Sequence, residues 1–164
     1  MRRKFMRSFL CSSVLFCTMA ILLAASCGYR QKKHTYRSIS EEGWSALEPQ
    51  TFIIDSLPDD GLYDVSVGIR TTHSYPYRSM WIIVEQEWEN PRSLRTDTLK
   101  CNLTNEAGDF SGSGIAVHQY VFPVSRDQHK RAQRGLISIR HLMRREMLPG
   151  VSDIGLLFGP ANPS

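Results

Sequence analysis

The chain is 164 residues long, with 20 Lys and Arg against 16 Asp and Glu and a formal net charge of +4. Four of those bases (Arg2, Arg3, Lys4 and Arg7) lie before Cys27, where there is no acid, and the remaining 16 balance the 16 acids. The body of the protein is therefore neutral, which removes the electrostatic case for a nucleic-acid partner, and its length suits one domain with its own core.

Residues 1–26 read as an export signal. A basic start is followed by the uncharged apolar run Phe9 to Leu23 and then by small residues. The stretch Leu23-Ala24-Ala25-Ser26-Cys27 resembles a bacterial lipobox, with Ala24 where Leu is commoner. The resemblance implies cleavage before Cys27 and acylation of its thiol and new amino terminus. The competing reading is an uncleaved signal anchor, since the run approaches the ~18 residues of a spanning helix. Both readings export everything after Cys27, because the basic start stays in the cytoplasm. Of the four cysteines, Cys11 and Cys17 leave with the signal and Cys27 takes the lipid. Cys101 is left alone, so the body is held by its core without an intrachain disulfide. Its alternation with Leu99 and Leu103 makes it a buried, inert thiol.

Residues 27–43, the acylated cysteine and a polar, basic stretch without period, read as a flexible tether. A β-sandwich is expected over 44–158. Thr51 to Ile54 is strand-like and ends at the turn Pro58-Asp59-Asp60-Gly61. Leu62 to Arg70 alternates, with Tyr63, Val65, Val67 and Ile69 on one face. Met80 to Trp88 is apolar on both faces at first and reads as a central strand. Thr96 to Leu103 alternates again, Asn105 to Asp109 turns, and Ile115 to Phe122 forms a strand stopped by Pro123. Arg126 to Arg134 is polar throughout and reads as a solvated loop. Leu136 to Arg140 is strand-like, Leu142 to Leu148 is short enough for one or two helical turns, and Pro149-Gly150 stops it. Ile154 to Phe158 is the last strand, and 159–164 is a free tail. Short strands at this spacing, without long amphipathic helices, favour an all-β antiparallel sandwich of jelly-roll or immunoglobulin-like type. Val65, Val67, Ile69, Ile83, Leu99, Ile139 and Leu156 are its expected core.

Catalytic spacing is missing from the sequence. Gly112-Ser113-Gly114 is a turn signal and no nucleophile elbow. His34, His73, His118, His129 and His141 are scattered without a metal-binding pair, so no metal and no cofactor are expected. Asp59-Asp60 sits in a turn, and Glu85 with Glu87 reads as a solvated strand face. The aromatic segment His73-Ser74-Tyr75-Pro76-Tyr77-Arg78 is different, because Pro76 stiffens a loop that carries two tyrosines. Such a loop offers a protein hot spot or a sugar platform, while the structural alternative has a tyrosine capping the core.

From Gly43-Trp44 onward the sequence is similar to the gliding-motility lipoprotein GldH family of Bacteroidota. The matching pieces come in order: Tyr63, Arg70, Tyr75-Pro76-Tyr77, Asp97-Thr98-Leu99, Gly108, Gly112, Gly114, Met143-Arg144, Leu148-Pro149-Gly150-Val151 and Asp153-Ile154-Gly155-Leu156. Arg78-Ser79-Met80 and Phe110-Ser111 depart from the family pattern, so the fold is expected to be kept and surface recognition near them to differ. The resemblance implies a membrane-anchored accessory protein of gliding motility and type IX secretion, with envelope protein partners and no enzymatic activity. A sandwich that binds a cell-wall glycan is the alternative. The expected anchor is Cys27, and the expected docking residues are Tyr75, Tyr77, Met143, Arg144, Leu148 and Gly150. No acid closely follows Cys27 to mark surface export, so the expected place is the outer membrane, facing the periplasm.

Overall fold

The computed structural model describes residues 32–161; the signal, Cys27 and the last three residues lie outside them. Among the described residues there are ten strands and no helix: β1 (Lys33–Ser38), β2 (Trp44–Ser45), β3 (Gln50–Ile54), β4 (Gly61–Thr72), β5 (Ser79–Trp88), β6 (Ser93–Asn102), β7 (Val117–His129), β8 (Gly135–His141), β9 (Met147–Leu148) and β10 (Val151–Pro160). Two four-stranded antiparallel sheets are ordered β1-β10-β4-β7 and β3-β8-β5-β6, with β2-β9 as a separate two-stranded pair. With that pair set aside, the eight long strands alternate between sheets at every connection except β5–β6. This is jelly-roll connectivity, one of the two sandwich types left open by the strand spacing.

The alternation of β4 shows how the core is built. Tyr63, Val65, Val67, Ile69 and Thr71 point inward and are buried. They meet Ile154, Leu156 and Phe158 from β10, Met80, Ile82, Val84 and Trp88 from β5, and Ile137 and Ile139 from β8 in one cluster. Leu99 packs against that cluster partly buried. Ile83 has the outward parity of β5 and lies outside the cluster, although it too is covered. Cys101 is free and buried, and burial pushes its thiol up to about 12.

Several segments differ from expectation, and the edge strands explain most of them. The stretch read as tether contributes β1, whose six residues pair with β10, so the domain begins at Lys33 and not at Trp44. Its side chains are mostly exposed, which leaves no apolar face for a periodicity reading to find. The polar run after Pro123 continues β7 to His129, where Arg126 lies opposite Asp64 and Asp127 opposite Tyr63. An edge strand tolerates a proline because it has a side with no ladder bond to donate, and the β4–β7 register shifts beside Pro123. Leu142 to Leu148 contains bends and β9 in place of a helical turn. Gly159 and Pro160, read as the start of a free tail, pair with Asp64 and Tyr63 inside the sheet.

The outer face of the first sheet carries two cross-strand rows. In one, Tyr36 faces Gly155, which faces Gly68, and the Tyr36 ring lies across both glycines. A Cβ at Gly155 would stand 2.6 Å from ring carbons, so a side chain there would displace the tyrosine. The Arg70 guanidinium covers the ring at 4.0 Å from its centroid. In the other row Asp64 accepts from Arg126 Nε at 2.6 Å and from Lys32 Nζ at 2.8 Å. The hydrogen bonds of Arg126, and then of Lys32, outweigh burial and hold the Asp64 carboxyl at about 2.

A carboxyl depressed in the folded state stabilises the fold above its unfolded value, near 4, and loses that contribution as pH falls through about 2. Urea midpoints should therefore drop between roughly pH 4 and pH 2 in the wild type. Asp64→Asn should be less stable at neutral pH and show a shallower acid dependence; parallel acid profiles of the two proteins would contradict the assignment.

Candidate functional site

The connections gather at two ends of the sandwich. The chain enters at Lys32 and leaves at Ala161 at the end we call lower, with the 55–60, 89–92 and 130–134 turns. The upper end carries the 39–49, 73–78, 103–116 and 142–150 segments. Most of the residues singled out by sequence meet at this upper end, but they divide into a buried set and an exposed set.

The buried set ties the upper end together. Trp44 lies edge-on to His141 at 5.1 Å, and its indole N–H donates to the Glu48 carbonyl at 3.2 Å. The Met143 N–H donates to His141 Nδ1 at 3.3 Å, so Nε2 carries the proton and donates to the Trp44 carbonyl at 2.9 Å. Burial lowers the His141 pKa, in keeping with this neutral tautomer. Tyr75 is 4% exposed, and its hydroxyl donates to the Ser79 carbonyl at 3.1 Å. The Thr72 N–H donates to the Gly150 carbonyl at 2.9 Å, drawing the 149–151 turn against this loop. Gly150 has φ +78°, and a Cβ there would collide with the Tyr75 backbone. Tyr75 and Leu148 are thus core residues, contrary to their expected docking role, while Gly150 and Met143 are half-buried. The tyrosine loop rejects the reading in which both rings face solvent, because its first ring has a carbonyl to cap and a cavity to fill.

The exposed set contains Tyr77 (37%) and Arg144 from the expected residues, joined by Trp81 (42%), Leu142 (52%) and Met147 (40%). The Leu142 N–H donates to the Trp81 carbonyl at 2.7 Å, and the Trp81 N–H points at Met143 Sδ at 3.4 Å, so β5 and the segment after β8 carry these side chains together. Lys100 lies opposite Trp81 on β6, and Arg78, Arg144 and Arg145 are exposed in the neighbouring segments. The parity of β5 was the available signal for Trp81, which shares the outward face of Glu85 and Glu87. Trp44 and Trp88 are buried.

The charged and histidine candidates take structural roles. Asp60 Oδ1 accepts from the Arg131 backbone N–H, and Glu85 lies 4.0 Å from Arg140. His73 and His118 meet at 4.8 Å between ring centroids, with Phe110 stacked on His118 at 4.5 Å. His129 packs on Trp88 at 4.1 Å. Among the described residues no group of three or more His, Cys, Asp or Glu converges on a point. A cleft of about 350 Å³ opens between β1 and β3, floored by Phe52, Leu57, Leu156 and Phe158. Lys33 and Arg37 turn into it from β1, and the Arg37 guanidinium stands 5.5 Å from the centre of the Phe52 ring. Inward charges of this kind guard an edge strand against further pairing.

Among the described residues the fold is an all-β domain whose upper end exposes aromatic, aliphatic and cationic side chains. The sequence profile described as "GldH lipoprotein" matches residues 31–157, and the chain belongs to that family of membrane-anchored lipoproteins. It is similar to the "Gliding motility lipoprotein GldH homolog" of Christiangramia forsetii, 25% identical over 152 residues, covering 87% of this chain and 92% of that protein. The "Gliding motility lipoprotein GldH" of Flavobacterium johnsoniae is 23% identical over 144 residues, with 84% and 89% covered. Of solved structures, the Eiger tumour necrosis factor of S. frugiperda superposes with a TM-score of 0.34 at 12% identity, over 82% of this chain and 92% of that one.

The division into buried and exposed tyrosines has a direct test in chemical denaturation. Tyr75→Ala should cost about 3–5 kcal/mol, the usual loss for a buried aromatic. Tyr77→Ala should cost under about 1 kcal/mol. Equal losses would contradict the placement of the two rings.

Proposed function

We propose that the protein is an accessory subunit of the gliding-motility and type IX secretion apparatus, acting through protein contacts made by the upper end of its sandwich. The observation that carries this reading is the exposed group Tyr77, Trp81, Leu142 and Met147 with its fringe of Lys100, Arg144 and Arg145. Large rings and aliphatic side chains with exposed charged residues around them make up the usual centre and rim of a protein interface. Family membership supports the setting, since both curated relatives are named for gliding motility. The acylated Cys27 would hold the domain on the periplasmic side of the outer membrane.

One observation favours a second reading. Trp81 is the exposed tryptophan, set on a flat strand face beside Lys100, where a sugar ring of cell-wall glycan would stack.

The test is crosslinking and capture from membranes with wild type, Cys27→Ser, and a Tyr77→Ala/Trp81→Ala pair. Wild type should carry a fatty-acid label, sediment with membranes and capture envelope proteins of the motility or secretion machinery. Cys27→Ser should lose label and sedimentation. The aromatic pair should keep both but bind its partner more weakly, by on the order of 2 kcal/mol per central ring, or about 30-fold. Retention of peptidoglycan with no machinery protein captured would replace the subunit reading with the glycan one.

A further inference from the structure

The first strand is both an edge of the sandwich and its link to the lipid. β1 enters at the lower end and runs upward, paired antiparallel with β10 from Lys33 opposite Phe158 to Ser38 opposite Asp153. Cys27 lies five residues before Lys32, a reach of at most about 18 Å. An acylated Cys27 would on that reach hold the lower end near the membrane, with the upper end at the far side of the domain. A pull between a partner at the upper end and the lipid runs along β1. In that direction β1 and β10 are drawn past each other, and all their ladder bonds are loaded together.

We propose that β1 is a shear-loaded clamp, so that the protein transmits force between its lipid anchor and a partner held at the upper end; this rests on the docking reading above. The side chains of β1 fit that task. The Tyr36 ring sits in the gap that Gly155 and Gly68 leave, capped by Arg70. Sliding β1 two residues toward the membrane would carry the ring into the row below, where Leu157 faces Ser66 and no glycine makes room. Ser38 Oγ donates to Asp153 at 3.0 Å near the upper end of the strand, and Lys32 Nζ holds Asp64 at the lower end. Tyr36 thus acts as a catch between two ties.

Single-molecule pulling on the chain from Cys27 onward tests this without a partner. The Cys27 thiol takes one handle, and Cys101 is buried and does not compete. The second handle goes on Ala107→Cys, in an exposed upper turn, or on Ala161→Cys, just after β10 at the lower end. The first pair shears β1 against β10, while the second peels it away one residue pair at a time. The shear rupture force should exceed the peeling force by at least about twofold. Tyr36→Ala should lower the shear force and leave the peeling force unchanged. Tyr36→Phe should keep both, because the Tyr36 hydroxyl has no hydrogen-bond partner among the described residues. Equal wild-type forces in the two geometries would overturn the clamp, whatever the variants do. The docking reading stands or falls separately, on the capture experiment.

Discussion

The strand Val151–Pro160 is the constraint on which the rest of the structure depends. It pairs along one side with β1 and along the other with β4, so the chain's last strand closes the sheet that its first strand edges. Its inward residues Ile154, Leu156 and Phe158 fill the middle of the core. Its outward glycines do the opposite work by leaving space. Gly155 admits the Tyr36 ring, and a Cβ at Gly159 would stand 2.7 Å from Lys32 Cα. One strand therefore supplies the apolar surface that drives folding and the gaps that let the first strand lie flat. Because these pairings join distant parts of the chain, loop entropy must be overcome before the core rewards it.

What could be read from the sequence follows from burial. Strands β4, β5 and β10 announce themselves because water on one face and core on the other force a period of two, or a run of apolar residues where a strand is central. Ile83 escaped that logic, since β5 is apolar at consecutive positions there and parity alone assigns the faces. β1 and the lower half of β7 escaped altogether. An edge strand can satisfy its backbone on one side and carry mostly polar side chains, exposed in Lys33–Ser38 and mixed in Arg126–His129, so these segments look like linker and loop. Their partners are single residues far away, Asp64 for Arg126 and Gly155 with Gly68 for Tyr36, which no local pattern reveals. The upper end was legible as a place but not as a surface. Tyr75 and Tyr77 are two residues apart, and only the Ser79 carbonyl and the space beside Gly150 decide which ring goes inside.

The two open sides of the sandwich are managed differently from its upper end. Between β6 and β7, Arg95 reaches Asp127 at 2.9 Å and Asp97 at 2.7 Å, closing that side with charge. Between β1 and β3, Lys33 and Arg37 turn inward and discourage another strand from adding to the edge. Among the described residues, exposed apolar side chains lie at the upper end, as Tyr77, Trp81, Leu142 and Met147, and also toward the lower end, as Ile53, Leu62 and Leu94.

The mechanical part of this account, and the closing of the first sheet by β1, require that residues 33–38 belong to the folded domain. Hydrogen exchange read by mass spectrometry measures this directly, on peptides spanning Lys32–Ile39 in the chain from Cys27 onward. The ladder bonds to β10 predict that these amides are protected and that they exchange together with the facing amides of Asp153–Phe158. Exchange of the 32–39 peptide at the rate of unstructured chain, while β10 and β4 stay protected, would contradict it and return this segment to the role of a tether.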